Sequence, residues 1–330
     1  MTLRNDQLER SKAIQRRTGR TFHVATRLLP TRTRHATYVL YAFFRIADEV
    51  VDDPDPMPPD RQARRLDRLR AAALGEEPTD DPVLAAFADV RAEYGIDPAD
   101  VEAFIDAMHR DVGGRPEDEV MVAFDDEAEL ATYLRGSAVA VAYMMLAVMG
   151  SSQPAVARPH AKALGEAFQL TNFLRDVRED RDAYGRIYLP ASTLEHVGLD
   201  RATIVAGDPT PAFRAAVRTE LRRAERKYRE GVAGIRYLPR DCQFAVLLAA
   251  TLYAEHHRLI RRRDYDVLTA RPGLTLARTL VVLARTAWHW AWHDDPAAVF
   301  YRVSPVARTE HDGVAREQRP RHRLPFHWLP

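Results

Sequence analysis

Residues 38–53, YVLYAFFRIADEVVDD, set the reading of the fold. The apolar residues recur at three and four, the period of one face of a helix, and no turn residue interrupts them. Asp48 and Asp52 stand four apart on that helix and so share a face. Like charges at this spacing destabilise a helix by roughly a few tenths of a kcal/mol unless something neutralises them. They also close an apolar run, where burial makes unpaired charge costlier still. The same arrangement returns at 167–182, AFQLTNFLRDVREDRD, with Asp176 and Asp180. A costly feature built twice points to bound divalent cations. Mg²⁺ prefers carboxylate oxygens, keeps several waters and completes its shell with substrate phosphates.

The neighbours of each pair strengthen this reading. Tyr41, Arg45, Asp48 and Asp52 are spaced four, three and four, forming one polar stripe on an otherwise greasy helix. Gln169, Asn172, Asp176 and Asp180 form a second stripe, with Arg175 beside it. A helix packed only into a core would carry Leu or Val there. Carboxylates to hold cations, amides to add oxygen ligands and arginines to neutralise phosphate oxygens account for both stripes. The competing explanation, solvated faces of surface helices, suits one such pair better than two with polar partners in register.

The rest of the chain is helical in pattern. Ala, Leu, Arg and Glu dominate, and no clear alternating strands with hairpin turns appear. Helices are predicted over about 6–17, 32–52, 59–74, 82–93, 98–112, 126–149, 154–181, 211–231, 239–264 and 274–293, each boundary good to roughly 2–4 residues. PDPMPP at 54–59 stops the first acidic helix. Asp97-Pro98 and Thr210-Pro211 read as a cap followed by proline at the first helical position. A single catalytic domain over 1–300 is expected, followed by a Pro/Arg-rich, poorly ordered tail over 301–330.

Composition narrows the function classes. The 330 residues, 46% hydrophobic and 29% charged, suffice for a sizeable core. A net charge of +1 gives no global electrostatic case for a nucleic-acid partner. Only three lysines stand among the 48 basic residues, so a lone arginine carries little signal. Cys242 is the only cysteine, which excludes an intrachain disulfide and a CxxC zinc site and fits a reducing compartment. The opening residues MTLRNDQLERSKAIQRR lack an apolar signal core, and no uncharged apolar run of about 20 residues is present. A cytoplasmic location is expected, peripheral at the membrane.

TFHVATRLLP at 21–30 with YVLYAFFRIADEVVDD, and FQLTNFLRDVREDRDAYGRIYLP at 168–190, closely resemble the two signatures of the squalene/phytoene synthase family. TYLRGSAVAVAYMML at 132–146 and LYAEHHRLIRRRDYDVL at 252–268 extend the resemblance from about Thr18 to Asp266. YAFFRIADEVVDD and GSA look more like phytoene synthases than squalene synthases. The resemblance implies the all-α isoprenoid (terpenoid) synthase fold, a single helical bundle around a central cavity. Asp48 and Asp52 on one wall, and Asp176 and Asp180 on the other, would bind Mg²⁺, with Mn²⁺ as a substitute, and grip two prenyl diphosphates. Gln169 and Asn172 match positions that support the second metal site, Asn172 as a ligand. Thr18, Arg20 and Thr21 match a diphosphate-binding stretch. Tyr41, Arg45, Arg175 and Tyr253 match positions that contact diphosphate or metal-bound water. Tyr133 matches a catalytic cavity tyrosine, and AYGRIYLP at 183–190 matches a flap.

The implied reaction joins two geranylgeranyl diphosphates head to head. An allylic cation attacks the second double bond, proton loss gives a cyclopropylcarbinyl diphosphate, and re-ionisation leads to phytoene without NADPH. Squalene or dehydrosqualene synthesis from farnesyl diphosphate is the alternative within the class. A non-catalytic scaffold relative is the alternative outside it, and retention of all four aspartates argues against it. A monomer or weak dimer is expected. Met144, Met145, Leu146, Phe43, Phe44, Phe168 and Phe173 are candidates for a dry wall around carbocations, or plain core. Relatives carry glycines where this chain has Ala138–Ala142, which leaves chain length open, and Arg271 is the nearest match to a C-terminal diphosphate arginine. Residues 275–296, rich in Trp and apolar residues, would suit either a membrane interface or a terminal helix packed on the bundle. His289 and His293, four apart, lack a third partner for zinc.

Overall fold

The computed structural model describes residues 24–53, 57–113 and 122–309. Thr18, Arg20, Thr21, the helix expected over 6–17 and residues 310–330 of the expected tail lie outside them. The elements in chain order are α1 (Thr31–Val51), α2 (Pro59–Leu74), α3 (Pro82–Tyr94), α4 (Pro98–Arg110), β1 (Val122–Ala123) and α5 (Glu127–Leu134). A π-helical segment (Arg135–Ala140), α6 (Val141–Met149), α7 (Pro154–Tyr184), β2 (Arg186–Ile187), α8 (Ala191–His196) and α9 (Arg201–Ala206) follow. The described residues close with α10 (Pro211–Val232), a 3₁₀ turn (Ile235–Tyr237), α11 (Arg240–Arg262), α12 (Leu276–Trp292) and α13 (Pro296–Val303).

Local chemistry explains the starts. Asp81, Asp97 and Thr210 each accept backbone N–H bonds from the first turn of the helix that follows, with proline at its first position. The long α7 is the axis of the bundle and packs most extensively on α10, then on the π segment, α11 and α6. In turn α6 packs on α1, so the two acidic helices share a neighbour, with a cavity between them. Behind α1 the core is aromatic. Phe43 is fully buried and stacks on Phe87 at 3.9 Å between ring centroids. Truncating such a residue to Ala costs about 3–5 kcal/mol.

Three departures from the sequence pattern matter. The helix expected over 126–149 is interrupted by the π segment. A Cβ at Gly136 would lie 2.0 Å from the Ala103 carbonyl oxygen, so only glycine permits this contact with α4. Residues Glu127–Met149 are apolar and long enough to cross a bilayer, yet 56% of their most apolar window is buried inside the bundle. Among the described residues the strands are β1 and β2, a two-residue parallel ladder pairing Val122 with Arg186 and Ala123 with Ile187. Finally, packing continues beyond residue 300, the domain boundary expected from sequence. Val303, Val306 and Ala307 are buried, because α13 lays an apolar face on α11 and α12.

Candidate active site

A cavity of about 930 Å³ opens between α1 and α7, near the top of the roughly 300–1,000 Å³ range of small-molecule sites. Tyr41, Arg45, Asp48, Asp52, Tyr133, Gln169, Asn172, Arg175, Asp176, Asp180 and Tyr253 all line it. Residues as far apart in the chain as Tyr41 and Tyr253 thus line one cavity. The reason is local: each four-spaced stripe faces inward, while Phe43, Leu170 and Leu174 on the other faces are buried in the core.

Each acidic pair has one carboxylate bound by arginine and one without a close cation. Asp52 accepts a bond from Arg186 Nη1 at 2.8 Å, whereas Asp48 has only Arg45 at 4.0 Å. Burial, then the Asp52 charge, pushes the Asp48 carboxyl up to about 7. In the second pair Asp176 is clamped by Arg175, through Nε at 2.8 Å and Nη2 at 2.5 Å, and by Arg271 Nε at 2.7 Å. Asp180 makes no ion pair among the described residues, and burial followed by the Asp176 charge pushes it up to about 8. The Asp52 charge adds a smaller push in the same direction.

These features fit hard cations. A carboxylate raised by burial and by a like charge is one that an added positive charge would relieve. Asn172 donates from Nδ2 to Gln169 Oε1 at 3.3 Å, while its buried Oδ1 has no hydrogen-bond partner among the described residues. That is a carbonyl oxygen held ready beside Asp176. No group of three or more His, Cys, Asp or Glu side chains close enough for one ion occurs among the described residues. An ion at either pair would therefore take two carboxylates and fill its shell with amide oxygen, water and phosphate.

The apolar candidates divide. Met145, Leu146, Phe44, Phe168 and Phe173 line the cavity, whereas Phe43 and Met144 are fully buried core. On α12, Trp288 and Trp292 are exposed, but Trp290 turns inward onto Phe244 and under the Arg240 guanidinium. His289 and His293 stack on each other, and His293 Nδ1 lies 2.6 Å from the Trp292 carbonyl oxygen.

Four site residues escaped the sequence reading. Arg186, in the quoted AYGRIYLP stretch, is buried and also donates to the Val51 carbonyl at 3.3 Å. Tyr188, two residues on, lies flat on Phe173 at 3.8 Å and next to Tyr133 at 5.8 Å between centroids. His256, in α11, lines the cavity with its ring pushed down to about 4 by burial and then by Arg175. Asp111 follows α4 and receives the Tyr133 hydroxyl at 2.8 Å. The AYGRIYLP stretch, matched to a flap, could have drawn attention to Arg186 and Tyr188; nothing in sequence singled out Asp111.

An all-α bundle with two acidic helices facing across a deep cavity defines an isoprenoid-synthase type of enzyme. The fold is that of a ligand-bound dehydrosqualene synthase, with a TM-score of 0.77 at 24% identity over 87% of this chain and 98% of that one. A squalene synthase from Alicyclobacillus acidocaldarius matches with a TM-score of 0.67 at 25% identity, over 79% of this chain and 95% of that one. The squalene/phytoene synthase family profile matches residues 15–278, and the chain belongs to this family. It is similar to the phytoene synthase of Rhodobacter capsulatus, 35% identical over 82% of this chain and 78% of that one. It is also similar to the 15-cis-phytoene synthase of Synechococcus elongatus, 32% identical over 83% and 90%. The chain is accordingly an enzyme of prenyl transfer.

Proposed function

We propose that the chain joins two geranylgeranyl diphosphates head to head to give phytoene, with Mg²⁺ as its metal. The observation that carries this reading is the convergence of both acidic pairs on one cavity that is polar at the aspartates and apolar beyond. Two anionic heads fit the first region and two prenyl chains the second. The similarity to phytoene synthases supports the C20 substrate.

Asp48 and Asp52 would hold metal at one wall, and Asp176, Asp180 and Asn172 at the other. The chemistry Mg²⁺ supplies when bound is neutralisation of the charge that develops on a departing diphosphate. The chain's own cations add to it. Arg45 makes only long contacts, 4.0 Å to Asp48 and 3.4 Å to Glu49, so its guanidinium can turn to a phosphate oxygen at little cost. Arg175 and Arg271, now on Asp176, stand where a second diphosphate would sit. Beyond them, Tyr133, Phe173 and Tyr188 present aromatic faces, which attract cationic carbon without trapping it. The burial of Tyr133 and Phe173 keeps water from the same carbons. The far end runs between small residues at four-residue spacing, Ala157, Ala161 and Gly165 on α7 and Ala245 and Ala249 on α11, which leaves room for a long chain.

Peripheral membrane contact belongs to the same proposal. Leu276, Leu280, Val281, Trp288 and Trp292 form an exposed apolar face on α12. Leu274, just before that helix, lines the cavity. A C40 hydrocarbon released there would meet an apolar phase at once.

Purified protein with Mg²⁺ and equal farnesyl and geranylgeranyl diphosphates tests the reading, with products sized by mass spectrometry. A C40 triene hydrocarbon plus diphosphate is the expected outcome. A C30 product would transfer the function to squalene or dehydrosqualene synthesis, and no hydrocarbon would reject the enzymatic reading.

A further inference from the structure

Head-to-head joining must dispose of carbon-bound protons, and the usual bases of the cavity are engaged. Asp52 and Asp176 are held by arginines, and Asp48 and Asp180 belong to the acidic pairs. His256 has Nδ1 on the Tyr253 carbonyl at 3.1 Å, on the wall of Arg175 and Asp176. Asp111 is different. It is 6% exposed and lines the cavity, its Oδ2 takes the Tyr133 hydroxyl at 2.8 Å, and its Oδ1 has no hydrogen-bond partner among the described residues. A carboxylate kept only to brace Tyr133 would be expected to have both oxygens satisfied.

We propose that Asp111 is the final acceptor of the substrate proton lost on cyclopropane closure, working through Tyr133. The assignment rests on the head-to-head reading above. Closing the ring requires C1 of the attacking prenyl unit to lose a proton while its C–H electron pair becomes the new ring bond. A lone phenol is a poor base for that proton. Here the phenolic oxygen can receive it as the phenol's own proton passes to Asp111 Oδ2, so the tyrosine ends as it began and Asp111 ends as the neutral acid. No redox partner is needed, and the acid returns its proton to water after product leaves.

The surroundings suit a transient acceptor. Arg186, Arg110, Tyr133 and Tyr188, with Asp52 and Asp48 from α1, are the titratable groups around Asp111. Burial pushes its carboxyl up to about 6, and Arg186 opposes the shift, leaving it ionised at rest yet readily protonated. Burial holds Tyr133 well above the usual tyrosine range, so it stays a phenol. Arg186 ties Asp111 to the diphosphate end, where C1 lies, by reaching both the Asp111 carbonyl and the Asp52 carboxylate.

Asp111→Asn preserves size and an acceptor oxygen for Tyr133 but cannot take the proton. In single turnovers with geranylgeranyl diphosphate, this variant is expected to form the cyclopropyl diphosphate roughly 10²-fold more slowly with KM unchanged. Deuterium at C1 should slow it further, and more than it slows the unsubstituted chain. Asp111→Glu should restore part of the rate, and Tyr133→Phe should share the isotope signature. Wild-type rate and isotope response in Asp111→Asn would overturn the assignment. So would a loss seen only in KM or in the thermal midpoint. Absence of hydrocarbon from the unsubstituted chain would overturn the functional reading and this one with it, whereas an active chain with an indifferent Asn variant removes Asp111 alone.

Discussion

The acidic ends of α1 and α7 carry the same spacing but balance their charge differently. On α7 the answer is close at hand, since Arg175 is the residue next to Asp176 and Arg271 reaches in from the segment before α12. On α1 the answer comes from Arg186, 134 residues away, delivered by β2 after Gly185 ends α7 in a left-handed turn at φ 59°. The α7 half carries one of its neutralising arginines on the same helix. The other half is completed only through Arg186 on β2, so metal binding at α1 should depend on the position of residues 183–190.

Neutralising one carboxylate at a time is the strongest way to test the likeness of the halves. Asp48→Asn and Asp176→Asn should each lower hydrocarbon formation by roughly 10²–10³-fold, the scale of a lost electrostatic contact in a dry site. Circular dichroism should remain that of the folded chain; Asp48, raised by burial, costs stability without metal, whereas Asp176→Asn gives up its arginine partners and should also lower the thermal midpoint. Near-normal turnover in either variant would remove that pair from the machinery.

Removing the arginines should break the likeness. Arg186→Ala strips a buried cation from Asp52 and Asp111, and breaking such a pair costs about 3–5 kcal/mol. A lower thermal midpoint and lost activity are expected together. Arg271 is half exposed, so Arg271→Ala should cost about 0–1 kcal/mol and act mainly on KM. Equal stability losses in the two variants would refute the asymmetry.

The smallest effect is on pH. Asp48 and Asp180, raised to about 7 and about 8, bind more protons in the folded chain than in the unfolded one above the ordinary carboxylate range. Metal-free stability should therefore fall as pH rises from about 4 to about 8. Added Mg²⁺ binds the ionised form and should flatten that slope, by an amount set by its concentration over Kd. Thermal midpoints across this range, with Mg²⁺ and with chelator, measure it. A midpoint that rises with pH in chelator would show that these carboxylates are not the controlling groups.

Much of this was legible beforehand because helical spacing is a local property. The main helices, both acidic stripes and the inward direction of Tyr41, Arg45, Gln169 and Asn172 follow from periodicity. Periodicity could not locate the π segment, where Gly136 comes so close to Ala103 on another helix that no Cβ would fit. Nor could it separate Phe44 on the cavity wall from Phe43 in the core. Arg186 was hidden by abundance, one arginine in a chain whose basic residues are nearly all arginine. Asp111 was hidden by position, a lone acid after a helix end with no partner in register.

Sequence alone determined that two helices would each carry an acidic face, since residues four apart must share a side. It did not determine that the faces meet, which of the four aspartates keep an arginine, or that a tyrosine and a buried aspartate stand between them. Those outcomes depend on contacts between residues 22 to 134 positions apart. Only packing of the bundle brings such residues within a hydrogen-bond length, and burial there raises the Asp48, Asp111 and Asp180 carboxyls above the ordinary range.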